Sequence, residues 1–266
     1  MNGDTRFLFP LKVCSMIALV WLLGYSFYYG EYLWLITTYL LYKVIETVGE
    51  QIGFHRYFSH RSFKTTMLGH QILCWTGVIL AQGTPLGSTA IHRSHHKMPD
   101  TPDDIHSPIY MSWWQMFKLQ FMTEAYYKDK KVAVPRDLLR DKTVMFIHNN
   151  YFYIWLCYLA ISLLIGWKFF VFFTLSIVGW NVIHGSFRIY LYHLNTWGSY
   201  RNFDIPGDYS TNNQWLHWYD LGEGLHNNHH KYPGSYSMAV KPGEYDPAAW
   251  VVKYCFEAKD GNSYTF

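Results

Sequence analysis

Long charge-free runs alternate along this chain with polar stretches rich in histidine. The first run, residues 13–30, is uncharged for 18 residues and follows Arg6 and Lys12. A helix needs about 20 largely apolar residues to cross a bilayer core, so a first span is expected at about 10–29, with Glu31 in a tight external turn. No small-residue cleavage site follows the run, which favours a retained span over a signal peptide. The second span, 32–50, is wholly apolar only to Tyr42; Lys43, Glu46 and Glu50 then share one helical face. A helix that turns amphipathic while continuing is expected to leave the membrane and carry the chain to His55. Residues 66–91 are again uncharged, and hydropathy alone would make them a crossing. That would put His55 and His60 on one face of the bilayer and His92, His95 and His96 on the other. The run also breaks at Gly83-Thr84-Pro85-Leu86-Gly87, and irregular backbone at membrane depth is tolerated only where protein covers it. A partly embedded hairpin is therefore expected between these histidines. Residues 109–122 mix Trp113, Trp114, Phe117 and Phe121 with Gln115 and Lys118, which suits a helix lying at headgroup depth. Two further spans are expected at 149–167 and 169–190, with Lys168 alone between two uncharged runs of 19 residues.

Lys168 is the only Lys or Arg in either external turn, so the positive-inside rule puts both termini in the cytosol. The expected architecture is an all-α, multi-pass membrane protein, one domain over residues 1–266. Four transmembrane helices lie under a cytosolic helical cap formed by 55–147 and 194–266. Composition agrees, with one-fifth of the 266 residues aromatic and charge sparse. A net charge of +3 with no dense basic block excludes nucleic acid as a partner. Cys14, Cys74, Cys157 and Cys255 are scattered without a C-x-x-C pair, which fits a reducing compartment and argues against a cysteine zinc site.

Eight of the 14 histidines fall in three short boxes: His55 and His60; His92, His95 and His96; His226, His229 and His230. On a helix, positions i, i+3 and i+4 share a face, so each triplet is expected to converge. His55 and His60 converge only if their helix ends or bends between them. Imidazole suits iron, zinc, copper and nickel. Eight histidines are twice the complement of a four-ligand zinc site, so the count matches two metals. His70, His148 and His217 are read as ordinary core or surface residues. His106 and Asp104 are candidates to support the ligands, since a ligating histidine needs an acceptor for its other ring nitrogen. Glu223 and Asn227, inside the third box, are candidates for the same role.

In these boxes the sequence resembles the integral-membrane fatty acid desaturases, the stearoyl-CoA-like Δ9 branch in particular. The matching residues are His55-Arg-Tyr-Phe-Ser-His60, His92-Arg-Ser-His95-His96-Lys97, Gly222-Glu-Gly-Leu-His226-Asn-Asn-His229-His230 and the tail Tyr245-Asp-Pro-Ala-Ala-Trp250. The resemblance implies a di-iron centre ligated by the eight box histidines, with dioxygen as co-substrate. It also implies a ninth histidine at the cytosolic end of the last span. Asn195 occupies the aligned position; His193, two residues earlier, is the favoured ligand because iron prefers imidazole to a carboxamide, and His184 is a weaker candidate. The implied substrate is a long acyl chain on CoA, carrier protein or lipid, desaturated at Δ9. Electrons are expected from an external ferredoxin or cytochrome b5-type donor. A hydroxylase or ketolase on the same scaffold and a non-enzymatic metal-binding membrane protein are the competing readings.

Overall fold

The computed structural model describes residues 6–121, 132–259 and 262–264. The ends of the chain and the part of the expected cap at 122–131, with Met122 of the interfacial stretch, lie outside them. The described residues form helices and no β-strand beyond isolated bridges. In chain order these are α1 (Leu8–Tyr29), α2 (Tyr32–Ile45) running directly into a π-helix (Glu46–Ser59), α3 (Met67–Val78), α4 (Pro85–Lys97), α5 (Trp113–Leu119) and α6 (Lys142–Ile165). A second π-helix (Phe169–Leu175) runs into α7 (Ser176–Tyr192), followed by α8 (Gln214–Asp220), α9 (His226–Lys231) and α10 (Pro247–Val251).

Among the described residues, three helices are long and apolar enough to cross a membrane: Leu8–Tyr29, Lys142–Ile165 and Phe169–Tyr192. Their outer faces carry Ile17, Leu156, Ile161 and Leu164, the last 87% exposed. A patch of this kind is a liability in water and ordinary in lipid. Inside, α1 lies so close to α7 that a Cβ at Gly179 would sit 2.6 Å from the Ser15 carbonyl oxygen. Tight turns end α1 and α6 at Gly30 and Gly166, both at positive φ, where glycine avoids the steric penalty of a Cβ.

The polar face of the second helix departs from expectation. Lys43 and Glu46 are buried rather than turned to solvent. Lys43 pairs with Glu46 and with Asp220 of α8; Arg188 and His184 of α7 meet Glu46, and Arg188 also holds Glu50. Counter-charges from distant segments cover that face, and no local pattern encodes them.

Between the first two boxes the chain turns back on itself, as two helices separated by residues 79–84. Ala81 and Gly83 adopt positive φ there, Thr84 caps α4 through the Gly87 amide, and Pro85 opens it, the position where a missing N–H costs least. Tyr151 and His148 of α6 hold the turn through Gly83 and Thr84. α5 starts with a capping box between Ser112 and Gln115, buries Met116 and Leu119, and leaves Trp114 exposed.

Candidate metal centre

Two arginines bind the boxes together. Arg56, fully buried beside His55, donates to the Tyr236 and Gly222 carbonyls and pairs with Asp246 at 3.1 Å. It therefore locks the first box to the chain entering the third. Arg93, beside His92, forks onto Asp137 at 2.8 and 2.9 Å and donates to the Phe58 and Ser59 carbonyls. Glycine at position 224 is required because a Cβ there would sit 2.4 Å from the His217 amide nitrogen.

The π-helix solves the spacing of the first box. Its wide turn hydrogen-bonds residue i to i+5, and the His60 amide donates to the His55 carbonyl at 3.1 Å. Five residues therefore make one turn, and the two imidazoles meet edge to face on one side with ring centres 4.9 Å apart. The helix changes its winding and then ends at Ser59, between the two histidines, with His60 as its C-cap.

All nine histidines proposed as ligands from the sequence fall into two adjacent groups. His55, His60, His92, His96 and His229 form one; His95, His193, His226 and His230 form the other; within each group the ligand atoms lie within 4.8 Å of one another. The triplets do not converge whole, as the sequence suggested; each divides between the groups. Residues 95 and 96 point about 100° apart on a helix, as do 229 and 230. His92 and His96 therefore serve the first group and His95 the second. In the third box the division is reversed: His229 joins the first group, while His226 and His230 join the second. The groups touch where the His96 and His230 rings come within 4.4 Å.

Acidic residues set the tautomers. His55 Nδ1 donates to Glu223 at 2.9 Å, His95 Nδ1 to Asp104 at 2.9 Å, His193 Nδ1 to Asp100 at 2.6 Å and His230 Nδ1 to Asp208 at 2.5 Å. Burial works to raise Asp100, Asp104 and Asp208, but the imidazole hydrogen bonds outweigh it and hold all three carboxyls below their usual range. With the proton at Nδ1, each Nε2 presents a lone pair. His55 Nε2 lies 2.9 Å from His229 Nε2, which lies 3.0 Å from His96 Nε2; the His60–His92 and His226–His230 pairs stand at 2.7 and 3.1 Å. Burial and neighbouring positive groups depress the imidazoles, His60 to about 3 and His230 to about 4, and His55, His92, His96, His226 and His229 well below the usual value. Neutral imidazoles whose lone pairs crowd together fit a cation between them, and a buried metal ion meets that need.

The remaining candidates fall as follows. Asp104 and Glu223 hold imidazoles. His106 stacks on His95 at 4.5 Å, and its amide donates to Asp104. The structure does not bring Asn227 to an imidazole: its side-chain oxygen accepts from the Asn202 and Phe203 amides and pins that loop. Asn195 is exposed and outside both groups. His184 sits instead with Glu46, Asp220 and Tyr42. His70, His148 and His217 bond within the core, to Asp141, Thr84 and the Leu225 amide. Asp100 and Asp208 were missed. The one available signal was the need of every ligating imidazole for an acceptor, which calls for carboxylates or carbonyls near the boxes but does not say which residues supply them.

A cavity of about 180 Å³ opens beside both groups. His55, His92, His95, His193 and His226 line one part of it; Ile91, Met116, Leu119 and Ile189 give it apolar walls.

Comparison with known proteins agrees with this geometry. Residues 32–253 match the fatty acid desaturase family. The chain is 32% identical over 223 residues to an sn-1 stearoyl-lipid 9-desaturase of Anabaena variabilis, covering 78% of this chain and 75% of that one. To the protein of the same name from a Synechocystis species it is 30% identical over 233 residues, 81% and 67% of the two chains. A hex-5-enoyl-(acyl-carrier protein) acetylenase of Moorena producens is 29% identical over 228 residues, 74% and 66% of the two. The chain belongs to the fatty acid desaturase family.

Proposed function

We propose that the protein is a di-iron, dioxygen-dependent fatty acyl desaturase that places a cis double bond at the ninth carbon of a long saturated chain. The observation that carries this reading is the pair of carboxylate-supported imidazole groups beside one cavity, part of whose wall, at Ile91, Met116, Leu119 and Ile189, is apolar. His55, His60, His92, His96 and His229 would hold one iron; His95, His193, His226 and His230 would hold the other. Bound there, the irons supply the oxidising chemistry needed to take hydrogens from unactivated methylenes, which no side-chain acid or base can do. The chain's own contribution is positioning. Ile91, Met116, Leu119 and Ile189 exclude water and present one carbon pair of the acyl chain to the imidazole side of the cavity. Glu223, Asp100, Asp104 and Asp208 keep the Nδ1 protons in place, so that every Nε2 so supported stays a ligand. A stearoyl lipid is the substrate that the cyanobacterial relatives' names favour, with acyl-CoA and acyl-carrier protein as the other carriers. Electrons come from an external donor of ferredoxin or cytochrome b5 type.

The same reading makes the chain one domain with four spans, at about 10–29, 32–50, 149–167 and 169–190, beneath a cytosolic cap of 55–147 and 194–266. It is tested by expressing the protein with a compatible donor and analysing total fatty acids by gas chromatography. A new monounsaturated acid, lost in His229→Ala, is the expected result; an oxygenated fatty acid in its place would move the protein to the hydroxylases and ketolases.

A further inference from the structure

Lys12 stands apart from the other buried cations. It is 5% exposed, yet it belongs to the most membrane-like helix of the chain. Its ammonium donates to the Gln120 carbonyl at 2.5 Å and, among the described residues, makes no ion pair. Lys43, Arg56 and Arg188 each face carboxylates. An ammonium has three donors, so two remain, and Lys12 lines the same cavity as His55, His92 and His193.

We infer that Lys12 receives the carbonyl oxygen at the head of the acyl chain and thereby sets which carbons reach the imidazole groups. This rests on the desaturase reading above. The cavity's one arginine among the described residues, Arg188, is held by Glu46 and Glu50. Lys12 therefore offers a single uncommitted cation, which suits a carbonyl or a single carboxylate; a phosphate calls for several cations or an arginine fork. The methyl end of an acyl chain cannot solvate a charge, so that end does not belong at Lys12. Capping α5 accounts for the bond to Gln120 but not for a full charge there, and so little exposure excludes a side chain that snorkels to water or headgroups.

The cavity wall supplies the length. Gln120 packs on Gly185, where a Cβ would sit 3.1 Å from its Oε1. From Gly185 the wall follows α7 through Ile189 to His193. At about 1.5 Å per residue that climb is roughly 12 Å. An extended chain advances about 3.5 Å for every three single bonds, so the bonds from a carbonyl carbon to the ninth carbon cover roughly 9–10 Å on the same principle. A head held at Lys12 thus brings the chain near its ninth carbon to the level of the second imidazole group. Lys12 lies before the residues matched to the family, so the family match does not assign it this role.

The test uses purified, iron-loaded full-length protein. Methyl stearate, stearate and octadecane compete against a bound fluorescent acyl lipid, in wild type and in Lys12→Met. The wild type is expected to prefer methyl stearate over octadecane by about 10-fold, the scale of a hydrogen bond to a charged group; Lys12→Met should bind the two alike while retaining wild-type iron. Lys12→Arg should restore the preference. A stronger preference for stearate than for methyl stearate would identify a free acid as the anchored head. Given acyl lipid and donor, Lys12→Met should scatter the double bond over neighbouring positions. An unchanged preference in Lys12→Met, or none in the wild type, overturns the inference. A wild type with the Lys12-dependent preference but no unsaturated product supports the anchor and sinks the desaturase reading.

Discussion

Asp208 shows how much of the centre depends on residues that are not ligands themselves. Its carboxylate lies 2.5 Å from His230 Nδ1 and also accepts from the Ser210 amide, so it is fixed before it fixes the imidazole. Replacing it with asparagine keeps the shape and removes the charge that makes the Nδ1–H bond strong and the Nε2 lone pair basic. Losing such a partner typically costs 10–100-fold in metal affinity. Asp208→Asn is therefore expected to leave the protein with about half its metal after dialysis, the loss confined to the second group, while Asp103→Asn at an exposed position leaves metal content unchanged. Metal analysis of the two purified variants decides, and full retention in Asp208→Asn would remove Asp208 from this role. The histidines were legible because a ligand box repeats within a turn of helix. Asp104 and Glu223, inside or near a box, were legible too; Asp100 and Asp208 were not, because Asp208, for one, reaches His230 from a loop 22 residues away.

Among the elements, the π-helix Glu46–Ser59 carries the greatest constraint. It must keep His55 and His60 one wide turn apart while it packs on α3, which leads through the hairpin to His92 and His96. That packing has no slack: a Cβ at Gly49 would lie 2.5 Å from the Gly77 amide nitrogen, and one at Gly77 would lie 2.3 Å from the Phe54 ring. Gly49→Ala must push two backbones apart, an overpacking that costs about 1–3 kcal/mol. It should lower the unfolding temperature in detergent and deplete metal from the first group, whose ligands straddle the displaced contact. Gly24→Ala, with open space around it, should do neither. Equal behaviour of the two variants would show that the close approach is not maintained in solution. The hairpin itself was legible from Gly83-Thr84-Pro85 and from the need to keep the boxes on one side. The π-helical winding was not, because glycines at 49 and 53 read the same in a bend, a cap or a close packing contact.

For the whole molecule, several ties gather one set of chain segments and leave another at the far end. Tyr264 donates to Asp141 at the start of α6, and Ala258 bonds to Lys64 just after the first box. Phe7 packs on Tyr151 and Phe152. The C-terminal end of the described chain therefore lies close to the first box, and the N-terminal end lies against α6. At the opposite end the two tight turns meet, with Lys168 Nζ 3.9 Å from Glu31 and over the Trp34 ring. Hydropathy revealed the long apolar helices. It could not reveal that the charged face of the second helix is covered by α7 and α8, since its partners Arg188 and Asp220 are remote in sequence. If the assembly crosses the bilayer with its imidazole end in the cytosol, a probe at the Glu31–Lys168 end and one near the C-terminus must respond oppositely to a reagent that cannot cross. Lys168→Cys is expected to react with a membrane-impermeant maleimide in intact cells. The exposed native Cys255 should react only after permeabilisation, because the ties that hold Glu257, Ala258 and Tyr264 to Lys64, Thr65 and Asp141 keep it on the side of the metal centre. Labelling of both from outside would contradict the four-span arrangement, and labelling of Cys255 alone would invert it.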